Sequence, residues 1–75
     1  MTSPPLSVWV VYDHPRDMPE RVVARRHEVH AGRSLPTPDV VAGDTLNDVR
    51  HMLPPGLHCM QRDPRDDPRI VEVWL

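Results

Sequence analysis

Val8-Trp9-Val10-Val11-Tyr12, near the start of the chain, and Ile70-Val71-Glu72-Val73-Trp74-Leu75, at its end, are the two most apolar runs. They hold both tryptophans and the only tyrosine, and the sequence has no phenylalanine. Runs of five or six residues rich in Val, Ile, Trp and Tyr read as β-strands. A chain of 75 residues has few ways to bury them. Pairing the two at the centre of one sheet is the expected solution.

The segments between them follow from punctuation and period. Met1–Leu6 reads as a flexible, Pro-containing lead-in, and Ser7–Tyr12 as a central strand, because both of its faces are apolar. Asp13–Glu20 is a loop broken by Pro15 and Pro19. Arg21–His30 is a second strand, placed toward an edge because it carries so many charges. Ala31–Ser34 is a turn. Pro36 and Pro38 predict an irregular stretch, with only Asp39–Ala42 as a short extra strand.

A helix is expected at Asp44–Met52, with Asp44 as its cap and Leu46, Val49 and Leu53 as its apolar stripe. Pro54-Pro55-Gly56 ends it. Leu57–Arg62 reads as a third main strand, Asp63–Pro68 as a turn, and Arg69–Leu75 as the last strand. The predicted fold is a single α+β domain over residues 1–75. It is a mainly antiparallel sheet of four or five strands, with one helix packed on one face. Simple alternation in the last strand puts Val71, Val73 and Leu75 against the helix, and leaves Trp74, with Trp9, on the other face.

Composition narrows the function classes. The nine basic residues are all Arg. With one Ile, one Asn and no Phe, this reads as the codon bias of a GC-rich bacterial genome. The net charge of −2 is too small to attract nucleic acid or membrane by bulk field. One cysteine, Cys59, cannot form an internal disulfide and suits a reducing, cytoplasmic setting. No signal peptide and no membrane span is read in the chain.

The histidines His14, His27, His30, His51 and His58, with Cys59, do not have the spacing of a metal site. His27 and His30 would point to opposite faces of a strand, as would His58 and Cys59. The same divergence argues against Cys59 as a nucleophile served by His58. The scattered glycines 32, 43 and 56 make no phosphate loop. No catalytic residue, metal site or cofactor is therefore assigned, and the expectation is a protein that is not an enzyme.

Two charged patches remain as candidate partner-binding surfaces. The acidic one is Asp63, Asp66 and Asp67 on a Pro-stiffened turn, extended by Glu72. The basic one is Arg16, Arg21, Arg25 and Arg26, along the second strand and the loop before it. An Arg strand that bound single-stranded nucleic acid would have interleaved aromatics, and this one has none.

Val10-Val11-Tyr12-Asp13-His14-Pro15-Arg16-Asp17, Leu53-Pro54-Pro55-Gly56-Leu57 and Asp66-Asp67-Pro68 leading to Ile70-Val71-Glu72-Val73-Trp74 together resemble a group of short bacterial proteins carried by phages and prophages. The resemblance spans residues 8–75. It implies an accessory inhibitor of host machinery, of which anti-CRISPR proteins are one class. The implied partner is a host protein or protein–nucleic-acid complex, with no membrane, and the chain itself would be a monomer or weak homodimer. Direct nucleic-acid binding and a homodimerising structural module are the alternatives. A stiff loop loses less entropy on binding than a mobile one. Reversing Asp66 and Asp67 to Arg is therefore expected to weaken partner binding more than reversing Arg25 and Arg26 to Glu, as measured by titration calorimetry.

Overall fold

The computed structural model describes residues 6–60 and 68–75. Within them the order is β1 (Leu6–Asp13), β2 (Val22–His30), β3 (Arg33–Gly43), α1 (Leu46–Met52), β4 (Cys59–Met60) and β5 (Ile70–Trp74). The strands form one antiparallel sheet in the order β3-β2-β1-β5-β4, so β1 is central and the chain's first and last strands are neighbours. The expected α+β architecture is present, with five strands and one helix.

The pairing of β1 with β5 sets Trp9 directly opposite Trp74, Val10 opposite Val73 and Val11 opposite Glu72. The register then slips, and Tyr12 faces Ile70. Val71 is the extra residue of a β-bulge, which turns it toward the core. Opposed residues share a face. Trp74 and Glu72 therefore lie on the helix side with Trp9 and Val11, and Val73 lies on the other. This corrects the face assignment made from simple alternation: Val73 does not meet the helix, and neither tryptophan is left outside it. A one-residue bulge cannot be seen in an alternation count.

The core on the helix side comprises Trp9, Val11, Val22, Ala24 and Val49. Val41, Leu46, Leu53, Leu57, Val71 and Trp74 pack around it. Leu46, Val49 and Leu53 of the expected stripe all point inward. Thr45, not Asp44, is the cap: it has extended dihedrals, and its hydroxyl accepts from the Asp48 N–H at 3.1 Å. The helix stops at Leu53, whose ψ of 150° is the extended geometry demanded by the following Pro54.

β2 is an interior strand rather than an edge, and β3 is longer than expected. β3 runs through Pro36 and Pro38 because it is the edge strand, where a missing N–H need not break a ladder. Its register is irregular where Thr37, Pro38 and Asp39 together face Arg26. The β2–β3 turn is two residues long, Ala31 and Gly32, with φ of 48° and 78°. Two positive φ values make a type I′ turn, which matches the strand twist. β4 is shorter than the expected Leu57–Arg62, of which residues 61 and 62 fall outside the described set. It is extended only by a reciprocal pair of backbone bonds between His58 and Leu75.

Gly43 fixes how closely α1 sits on β3. A Cβ placed there would come within 2.9 Å of the Asp48 Cβ and 3.3 Å of a Val49 methyl. The obstacle is the helix itself, so relief requires moving α1. Gly43→Ala is expected to cost about 1–3 kcal/mol, read as a lower urea midpoint at unchanged slope.

Candidate functional site

The sheet offers two faces with different contents. On the helix side one row runs Cys59, Trp74, Trp9, Arg26 across β4, β5, β1 and β2. Next to it run Glu72, Val11, Ala24 and Val41. α1 covers part of this face, and the polar side chains here are engaged with one another.

Glu72 is the clearest case. Its side chain is only 12% exposed. Its carboxylate accepts a two-pronged hydrogen bond from the Arg50 guanidinium, reaching down from α1, with Nε at 2.9 Å. The Trp74 indole N–H donates to the same carboxylate at 3.2 Å. The Arg50 bond holds the Glu72 carboxyl below its ordinary range, against the opposing effect of desolvation. Cys59 lies 3.7 Å from Glu72, and desolvation together with the Glu72 charge pushes its thiol up, away from the reactive thiolate.

Arg26 anchors the far end of this face. Its guanidinium donates to Asp39 at 2.7 Å, to Glu28 at 3.0 Å and to the Ser7 hydroxyl at 3.2 Å. Its backbone carbonyl accepts from the Thr37 hydroxyl at 2.8 Å. His30 bonds the other Glu28 oxygen at 2.9 Å. These contacts explain how a charged strand can lie inside the sheet: each charge meets a partner on a neighbouring strand or two residues along its own.

The second face carries a transverse row through all five strands: Val40, Arg25, Val10, Val73 and Met60. Flanking it are Pro36, His27 and Val8 on one side, and Ala42, Val23, Tyr12 and Ile70 on the other. The β1–β2 loop folds over the Tyr12–Val23 end, where Pro15 is buried. Beneath the loop a cavity of about 110 Å³ is lined by Tyr12, Pro15, Asp17, Val23 and Arg25. Arg25 donates to the Thr37 carbonyl at 3.1 Å and lies 3.8 Å from the Asp17 carboxylate. His27, half-buried beside Arg25, is held below its ordinary pKa by desolvation first and by the Arg25 charge second. No described element covers the Val8–Val10–Val73–Met60 half of this face.

The two charged patches read from the sequence fare differently. Asp63, Asp66 and Asp67 lie outside the described residues. Glu72 points to the helix side and is taken up by Arg50 and Trp74. Arg25 and Arg26 sit on opposite faces. Arg21 is exposed and donates to the Ala42 carbonyl at 3.2 Å, and Arg16 is exposed on the loop. The four arginines therefore do not form one surface. Reversing Arg25 and Arg26 would also break the bonds just described, so Arg16 and Arg21 are the cleaner probes of positive charge.

Among the described residues no group of three His, Cys, Asp or Glu side chains could hold a metal ion. No helix among them is long and apolar enough to cross a membrane. The apolar row of the second face was missed in the sequence because Val8, Val10 and Tyr12 alternate with the equally apolar Trp9 and Val11. Apolarity alone does not say which set is outside.

Glu72→Gln keeps the shape and loses the charge-assisted bonds. Because the Glu72 pKa is depressed by folding, its stabilisation is fully present above the unfolded-state pKa and is lost as pH falls through the lower folded value. The variant is expected to lose about 1–2 kcal/mol near neutral pH. Denaturant titrations should show this deficit shrinking as the wild-type carboxyl protonates in acid.

No family model matches the chain, and neither a curated protein nor a solved structure matches it.

Proposed function

We propose that this chain is a non-enzymatic binding module whose working surface is the open half of the second sheet face. One observation carries the reading: Val10, Val73 and Met60 stand side by side on three adjacent strands, with no described element over them and Met60 half exposed. A contiguous apolar strand face that no described element covers is the kind of patch that marks a macromolecular interface. Its hydrogen-bonded backbone is rigid, so little conformational entropy is lost on docking.

The resemblance to phage-borne proteins gives this surface a use. Occlusion of a host macromolecular complex, as anti-CRISPR proteins achieve it, would make the chain an inhibitor that acts by covering a site rather than by chemistry. Direct nucleic-acid binding is the weaker reading, because Arg25 and Arg26 spend their donors on Thr37, Asp17, Asp39, Glu28 and Ser7.

A capture experiment separates these readings. Tagged wild type, Met60→Lys, the pair Arg16→Glu with Arg21→Glu, and the pair Asp66→Arg with Asp67→Arg are compared against GC-rich bacterial lysate, with mass-spectrometric identification. Met60→Lys is expected to lose at least about tenfold of the captured partner, the loss typical of a buried anchor. The arginine reversal is expected to leave capture intact. The outcome that removes this proposal is loss on charge reversal with Met60→Lys unaffected. A steep fall of binding with salt would instead move the assignment to nucleic acid.

A further inference from the structure

We propose that His27 is an acid-sensitive latch on the turn end of the β2–β3 hairpin: its buried, unpartnered Nε2 must stay unprotonated for this arm to keep its place in the sheet, and mild acid releases it. The latch is a property of the fold and does not depend on what the second sheet face binds.

Geometry is the first argument. His27 stands on the second face, opposite Val8 of β1 and Pro36 of β3. Its Nδ1 lies 3.4 Å from the Ser34 hydroxyl, and its Nε2 is buried without a hydrogen-bond partner. A neutral imidazole carries one N–H. With that N–H on Nδ1, toward Ser34, the buried orphan is only a lone pair. A protonated ring carries an N–H on both nitrogens. Nε2 then becomes a charged donor with nothing to donate to, and an unpaired buried charge costs far more than an unpaired neutral acceptor.

The surroundings offer the added proton no compensation. Arg25, two residues along on the same face, is a second cation, fixed by its bond to the Thr37 carbonyl at 3.1 Å. β1 presents Leu6, Val8 and Val10 to this face, and β3 presents Ser34, Pro36 and Val40. None of these carries a charge. The acid beside Arg25 is Asp17 of the β1–β2 loop, 3.8 Å from the guanidinium. Asp39, Glu28 and His30 are engaged on the helix side, around Arg26. Desolvation first and the Arg25 charge second accordingly hold His27 below its ordinary value of 6.5.

The arm can open while the core stays closed. Val22, Val23 and Ala24 are buried at the other end of β2, whereas residues 33–36 are exposed. The β2–β3 register breaks between Arg25 and His27, and the turn holds Ala31 at a φ of 48°. Segments with little burial and an interrupted ladder are the ones that open locally. The sign follows from the lowered pKa. The arm's closure is at full strength above the unfolded-state value near 6.5. It weakens as pH falls below that value and levels off once the lower folded value is passed. Each pH unit between the two values multiplies the opening equilibrium constant by about tenfold in acid. Glu28 does not compete in this window, because its bonds to His30 and Arg26 hold its carboxyl below the usual range.

Nuclear magnetic resonance on the full chain tests the latch from about pH 7.5 to about pH 5, where histidines titrate. The His27 ring is expected to titrate below 6.5. Amide protection factors, which remove the intrinsic pH dependence of exchange, should fall in acid across residues 27–35 and hold at Val11 and Val22–Ala24. His27→Phe and His27→Gln, which cannot titrate, should keep the arm's protection constant over this range. His30→Gln should lose it as wild type does. If His27→Phe fails to fold by circular dichroism, His27→Gln decides. A His27 ring that titrates at or above 6.5 overturns the proposal. So does arm protection that does not change with pH in wild type, or that falls equally in the His27 variants. Loss spread evenly over arm and core overturns the arm as the element released.

Discussion

The antiparallel pairing of β1 with β5 is the constraint on which the rest of the molecule depends. It joins the two ends of the chain and makes β1 central. It also sets Trp9 against Trp74, which builds one wall of the core that α1 closes with Val49. A seven-residue helix is too short to be stable by itself. It persists because Leu46, Val49 and Leu53 pack on this wall, and because Gly43 lets it approach β3 closely. Arg50 then reaches from the helix to Glu72 on β5. That bond ties the helix to the strand on which the pairing depends.

The β2–β3 hairpin follows a different logic. Its start, at Val22–Ala24, is buried in the core, but its turn end beyond Arg25 is held by a two-residue turn and a ladder of cross-strand bonds rather than by burial. Ala31 occupies a left-handed position that Asn or Gly adopts more readily, so the turn carries some strain. Where the two prolines interrupt β3, side chains take over the role of the backbone. Thr37 bonds the Arg26 carbonyl, and Asp39 takes the Arg26 guanidinium. The arginines that look in the sequence like a surface for a partner are therefore largely structural.

Internal pairing of charge also shapes what is left outside. Arg25, Arg26, Arg50, Glu28 and Glu72 all have partners within the fold. Among the described residues, the surface that internal contacts leave unexplained is apolar, on the side of the sheet away from α1. One short helix cannot cover both faces of five strands, and among the described residues the β1–β2 loop shields the end around Val23 and Pro15.

The sequence by itself determined the element types, the central pairing of the two apolar runs and the helix stripe, because each depends on local period and on punctuation by proline and glycine. The spacing of Leu46, Val49 and Leu53 is legible in one dimension, as is the stop at Pro54. Only the tertiary structure decided which side of each strand is inside. Val8, Val10 and Tyr12 are as apolar as Trp9 and Val11, and the Val71 bulge reverses the alternation within β5. It also decided that β2 is interior, since the partners that satisfy its charges come from Ser7, Thr37 and Asp39, distant in sequence. Face and register are properties of paired strands, and neither leaves a trace in the sequence of either strand alone.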